Sequence, residues 1–119
     1  MKKAIVIGAT SGIGRALAEI LITKNYTVGI AGRRTDQLEE LYTKYPNNVV
    51  YQSIDVSKTE TVNENLEKLV HQLGGLDLFI NAAGIGFENE LLEFKQEKLT
   101  IETNVLGFTA VIGWAFHYL

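Results

Sequence analysis

The stretch Ala4-Ile5-Val6-Ile7-Gly8-Ala9-Thr10-Ser11-Gly12-Ile13-Gly14-Arg15 passes from apolar residues through a glycine-rich turn into a segment with helical spacing. It reads as a strand feeding a helix through a turn with little side-chain bulk. Backbone N–H groups at a helix N-terminus lack intrahelical partners and carry partial positive charge, and glycines let an anion approach them. A dinucleotide pyrophosphate suits such a turn. The spacing Gly8-x-x-x-Gly12-x-Gly14 differs from the common G-x-G-x-x-G fingerprint, and the Gly-Lys-Ser/Thr ending of a P-loop is absent.

Outward from this turn, strand and helix patterns alternate. Ile13, Leu17, Ile20 and Leu21 give a helix over 12–25 an apolar face, and residues 26–31 form a second buried strand. Thr35 or Asp36 is placed to cap a helix carrying Leu38, Leu41, Tyr42 and Tyr45, which Pro46-Asn47-Asn48 stops before a strand over 49–54. Ser57 is the expected N-cap of a third helix bearing Val62, Leu66, Leu69, Val70 and Leu73; Gly74-Gly75 ends it before a strand over 76–80. Residues 84–95 read as a polar connection, and one long helix runs from Gln96 to the end, apolar enough from Val105 onward to suggest burial on two sides. This alternation predicts an α/β fold: a Rossmann-like, doubly wound parallel sheet of strand order 3-2-1-4. The order reverses between strands 1 and 4, where the turn at Gly8–Gly14 meets Asn81–Gly84 in a crevice at the strands' carboxyl ends.

At 119 residues the chain is one domain, short for a complete dinucleotide-dependent enzyme, so the sheet is expected to be truncated and residues 1–119 to be the N-terminal part of a longer parent. Zero cysteines remove disulfides and thiolate metal sites and fit a reducing compartment, with the cytoplasm as the expected location. With 11 basic and 14 acidic residues and no basic block, no nucleic-acid partner is expected. Neither the N-terminus nor the stretch after Val105 has the roughly 20 uninterrupted apolar residues of a membrane span. His71 and His117 have no evident partner, so no metal site is expected.

With these residues placed, the chain resembles the N-terminal part of the short-chain dehydrogenase/reductase family of nicotinamide-dependent oxidoreductases. Gly8-Ala9-Thr10-Ser11-Gly12-Ile13-Gly14 is similar to its cofactor turn, Asp55-Val56 to its adenine-contacting pair, Asn81-Ala82-Ala83-Gly84 to its strand-four motif and Asn104-Val105-Leu106-Gly107 to its helix asparagine motif. Ala82 replaces the commoner second Asn of the strand-four motif. The resemblance implies that Gly8, Thr10, Ser11, Gly12, Ile13, Gly14, Asp55, Val56, Asn81, Ala82, Ala83 and Gly84 bind the cofactor. It also implies that Asn104 serves catalysis by bending its helix and holding a water in the proton relay.

Arg33 and Arg34 follow strand two, where a carboxylate would grip the ribose hydroxyls of NAD. Guanidinium groups there suit the 2′-phosphate of NADP, and as merely solvated charges they would stand unfavourably near a helix N-terminus. NADP is therefore the expected cofactor, with Arg33 favoured over Arg34. In the resembled family, carbonyl reduction also needs a serine and a Tyr-x-x-x-Lys pair whose lysine lowers a phenol pKa of about 10. No Tyr-x-x-x-Lys follows Asn104, and no serine follows Ser57. The parent is thus expected to interconvert small alcohols and carbonyls as a homo-oligomer, while residues 1–119 bind cofactor without turnover. A non-catalytic NADP-binding or sensor module is the alternative; the glycine spacing disfavours a nucleotide-sugar epimerase, and Arg33-Arg34 a methyltransferase.

Overall fold

The structure is a computed structural model that describes residues 1–10, 12–83 and 94–119. Four parallel strands, β1 (Lys3–Ile7), β2 (Thr27–Gly32), β3 (Val49–Ser53) and β4 (Leu78–Asn81), form one sheet of order β3-β2-β1-β4. The register sets Ile7 level with Ala31 and Asn81, so β1 and β4 end together and β2 runs one residue further, to Gly32. Helices α1 (Gly12–Thr23) and α2 (Thr35–Lys44) connect β1 to β2 and β2 to β3, and α3 (Thr59–Leu73) connects β3 to β4. The strand order is the one the alternation predicts, because a right-handed crossover with a helix in each connection carries successive strands outward in one direction until the chain returns past β1.

Side chains alternate along β1 between two cores. Ile5 and Ile7 pack with Leu66, Leu69, Val111 and Trp114, while Ala4 and Val6 pack with Ala18, Leu21, Leu38 and Leu41 on the other face. Both faces of the sheet are covered, which is why its strands are nearly all apolar. On α1 the buried face is Gly14, Ala18, Leu21 and Ile22, whereas Ile13 and Ile20 are exposed. Size and hydrophobicity alone favour the larger residues for the core. Close approach of α1 to the turn instead requires small ones, which rotates the face by one position.

Two cap assignments are also corrected. Helix α2 is entered at Arg34 and α3 at Lys58, neither with a side-chain cap, so Thr35, Asp36 and Ser57 do not cap them. Ser57 turns back instead: its N–H and hydroxyl both donate to Asp55 Oδ1, at 3.0 and 2.6 Å. Gly74, left-handed at φ +79°, does end α3, with its N–H donating to Val70 O. Glu19 ties α1 to α2 by accepting from Lys44 Nζ at 3.2 Å and the Tyr45 hydroxyl at 3.0 Å, and Lys44 chiefly, then Tyr45, holds this carboxyl below its ordinary pKa.

The final helical region starts earlier than expected and is not one regular helix. Helix α4 (Phe94–Ile101) passes into a π-helical stretch, Glu102–Gly107, and then into α5 (Phe108–Tyr118). The widened turn falls where the sequence resemblance places Asn104. Burial on two sides is corrected: Val111, Trp114 and Ala115 face the core, while Phe108, Ile112 and Phe116 are exposed. Among the described residues, α5 has packing neighbours on one side only. Trp114 is held by its Nε1 donating to Glu67 Oε1 at 2.9 Å and by stacking on Tyr118.

Candidate cofactor crevice

At the carboxyl ends of the strands, the turn after β1 meets the end of β4 backbone against backbone. Gly8 has φ +81°, and a Cβ there would stand 2.7–2.8 Å from the main chain of Ala82 and Ala83. A Cβ on Gly14 would overlap the Gly8 carbonyl. These two positions therefore require glycine, one for its left-handed backbone and contact with β4, the other for contact with the turn itself. The Ala82 N–H donates to Ile7 O at 2.8 Å, and Asn81 Oδ1 accepts from the Ala83 N–H at 3.1 Å, which fixes the motif to the end of β1.

A crevice of about 360 Å³ opens over this junction. Each strand end contributes: Ile7, Gly8 and Thr10 after β1, Gly32 through Arg34 after β2, Ile54 and Val56 after β3, and Ala82 and Ala83 after β4. Gln37 and Thr103 complete the wall. A larger groove of about 510 Å³ lies between α3 and α5, but it shares no residue with the glycine turn, and its floor is the Trp114 ring bonded to Glu67. The crevice is the site with convergent chemistry.

Its charge is local and basic. Arg15, the cation nearest the turn in sequence, is engaged by Glu40 at 2.8 Å and Glu19 at 3.5 Å, and the Glu40 bond chiefly raises its pKa further. Arg33 and Arg34 are left to face the crevice. The Gln37 amide, oriented to satisfy both ends, donates to Thr10 O at 2.8 Å and accepts from Arg34 Nη1 at 3.2 Å. The second guanidinium is thereby tied to the backbone of the glycine turn, while Arg33 has no ion-pair partner among the described residues.

Of the residues singled out from sequence, Gly8, Thr10, Arg33, Arg34, Val56, Ala82 and Ala83 line the crevice. Gly12, Ile13 and Gly14 form the first turn of α1 beside it, with Ile13 exposed, and Asn81 stands at the end of β4. Asp55 lies just past β3 with Oδ1 engaged by Ser57, and Asn104 sits exposed in the π-helical stretch. Ser11 and Gly84 lie outside the described residues. Sequence reasoning missed Gln37 and Thr103. Gln37 follows Arg34 by one helical turn, a spacing that brings side chains together. Thr103 is adjacent to Asn104, but only the fold buries it.

The arrangement fits a phosphorylated dinucleotide. Two glycine positions leave no room for a Cβ, which keeps the backbone of the turn close to β4, and guanidinium groups at the mouth supply charge. Among the described residues, no cluster of His, Asp and Glu is suited to a metal ion, and no helix is long and apolar enough to cross a membrane.

Comparison with known proteins agrees with this geometry. A family model described as short chain dehydrogenase matches residues 2–119. The chain is 34% identical over 113 residues to a 3-oxoacyl-[acyl-carrier-protein] reductase of Staphylococcus epidermidis, covering 89% of this chain and 46% of that protein. An alcohol dehydrogenase from the archaeon Thermococcus sibiricus, solved with 5-hydroxy-NADP, is 33% identical with a TM-score of 0.88 and is matched by 100% of this chain and over 53% of its own. ElxO with NADP bound is 30% identical with a TM-score of 0.84, the match covering 98% of this chain and 50% of ElxO. The chain spans about half the length of the curated relatives it matches. With sheet order, glycine turn and family match in agreement, the chain belongs to the short-chain dehydrogenase/reductase family.

Proposed function

We propose that residues 1–119 carry the NADP-binding half of a cytoplasmic short-chain oxidoreductase that interconverts alcohols and carbonyls by hydride transfer. The observation that carries this reading is the crevice in which a glycine cradle faces Arg33 and Arg34. NADP-containing relatives support the choice of cofactor. When bound, the nicotinamide supplies or accepts the hydride. This chain's residues bind and orient: the first turn of α1 receives the pyrophosphate, Arg33 and Arg34 the 2′-phosphate, and Ala82 and Ala83 leave room beside β4. Asn104, in the widened helical turn, holds a water for proton transfer.

In this reading binding and chemistry are separable in residues 1–119, where no Tyr-x-x-x-Lys follows Asn104. The 119-residue chain is expected to bind NADPH, read by calorimetry, yet to show no substrate-dependent NADPH oxidation across a panel of small ketones and aldehydes. A relative-length chain carrying the downstream tyrosine and lysine should turn over. Robust turnover by residues 1–119 would demand a different acid and refute the assignment of roles; binding alone with no active longer form would favour a sensor module.

The same reading includes a homo-oligomer. Phe108, Ile112 and Phe116 are exposed along one side of α5 at helical spacing, with exposed Val105 before it and Leu119 after it, a stripe suited to a second copy. Replacing Phe108 and Phe116 together with Gln is expected to weaken self-association by about tenfold or more, with circular dichroism unchanged. Sedimentation over a concentration series measures it; a wild-type chain that stays monomeric throughout excludes the oligomer.

A further inference from the structure

The groove between α3 and α5 encloses about 510 Å³ and shares no residue with the cofactor crevice, so its chemistry is independent of that site. Each helix gives it one row of residues. Thr59, Asn63 and Glu67 follow one another at one-turn spacing on α3, a row of oxygen acceptors about 12 Å long. On the α5 side, Gly113 leaves the groove open: a Cβ there would meet nothing within 4 Å. Beyond Gly113 the wall turns aromatic, with the Trp114 and Tyr118 rings stacked at 5.3 Å and 19° and Tyr118 42% exposed.

The charge on this groove is one-sided. Any neutral oxygen could satisfy the Trp114 indole N–H, yet its acceptor is Oε1 of the Glu67 carboxylate, at 2.9 Å. That bond fixes the carboxylate beside the ring without neutralising it. Lys68, the neighbouring cation on α3, is taken by Glu64 at 3.5 Å, and no lysine or arginine lines the groove. Glu67 therefore has no ion-pair partner among the described residues. An anion is repelled by this carboxylate, and a metal ion would need further acidic or imidazole ligands, a cluster not found among the described residues. We propose that the groove binds a small organic cation, an extended alkylammonium whose head pairs with Glu67 against the Tyr118 ring and whose chain lies over Gly113. The ammonium N–H groups match the carboxylate, the aromatic face attracts the positive charge, and the chain covers Ala110. A cavity of this size suits a ligand of small-molecule dimensions.

Trp114 is the single tryptophan of the chain, so its fluorescence reports on the groove directly. Titration with n-hexylammonium chloride at constant ionic strength is expected to change the emission saturably, with a Kd on the order of 1 mM. The uncharged counterpart 1-hexanol should bind about tenfold more weakly. Glu67→Gln keeps a carbonyl oxygen for the indole N–H and removes the charge; it should weaken n-hexylammonium about tenfold while melting within about 2 °C of wild type. Gly113→Leu grows into open space and should weaken the amine by a similar factor by filling the groove, with circular dichroism unchanged. Equal affinity for the amine and the alcohol overturns the proposal, as does n-hexylammonium binding that is undiminished in either variant. Emission that responds only linearly to the amine up to about 50 mM overturns it as well.

Discussion

Gly14→Ala is expected to destabilise the protein by about 3 kcal/mol or more, the upper end of what overpacking costs, and to remove cofactor binding with it. The added Cβ would overlap the carbonyl of Gly8, and no flexible side chain lies between them to give way. Gly8 itself has little freedom to move, because its left-handed backbone is wedged against Ala82 and Ala83 and its N–H donates to Ala31 O at 2.7 Å. Relief would have to come from lifting α1 off the sheet, which exposes Ala18, Leu21 and Ile22. Gly113→Ala is the matched control: its Cβ meets nothing within 4 Å on α5. That change should stabilise by roughly 0.5–1 kcal/mol through helix propensity. Urea unfolding of the two variants measures both signs, and equal stability would mean that the turn and α1 are not packed backbone on backbone.

The same turn shows how far the sequence could be read. Strand order follows from alternation alone, since parallel crossovers leave few arrangements, and the same pattern places Ile7, Gly8 and Asn81 at one end of the sheet. What failed were quantities set by contact distance. Ile13 and Ile20 have the hydrophobicity of core residues, but the gap between α1 and the sheet admits Gly14 and Ala18 instead. Ser57 has the chemistry of a helix cap, yet the nearer Asp55 carboxylate captures its hydroxyl. The π-helical stretch has no composition signature, and the burial of Thr103 and Gly107 within it is visible only once the chain is folded. Gln37 illustrates the intermediate case. Its spacing from Arg34 was visible, but the carbonyl of Thr10 that orients it belongs to a turn 27 residues earlier in the chain.

NADPH is expected to bind more tightly than NADH, and Arg33→Ala to weaken NADPH by roughly 1.5–3 kcal/mol while leaving NADH nearly unchanged. Arg33 has no competing carboxylate among the described residues, so its charge is available to a 2′-phosphate. Arg34 differs because Gln37 already takes one of its nitrogens at 3.2 Å. That bond orients the guanidinium and leaves its remaining donors for phosphate, so Arg34→Ala should have the same sign and a smaller magnitude. Acidity gives an independent handle. A phosphate monoester loses its second proton near pH 6, so preference for NADP+ over NAD+ should be full above about pH 7 and shrink as pH falls toward about 5. Calorimetric titration of wild type and both arginine variants with the two oxidised cofactors would resolve charge from shape. A preference that persists at low pH, or survives loss of both arginines, would assign the discrimination to the crevice wall; equal affinity of wild type for the two cofactors would make Arg33 and Arg34 solvated charges at the entry to α2.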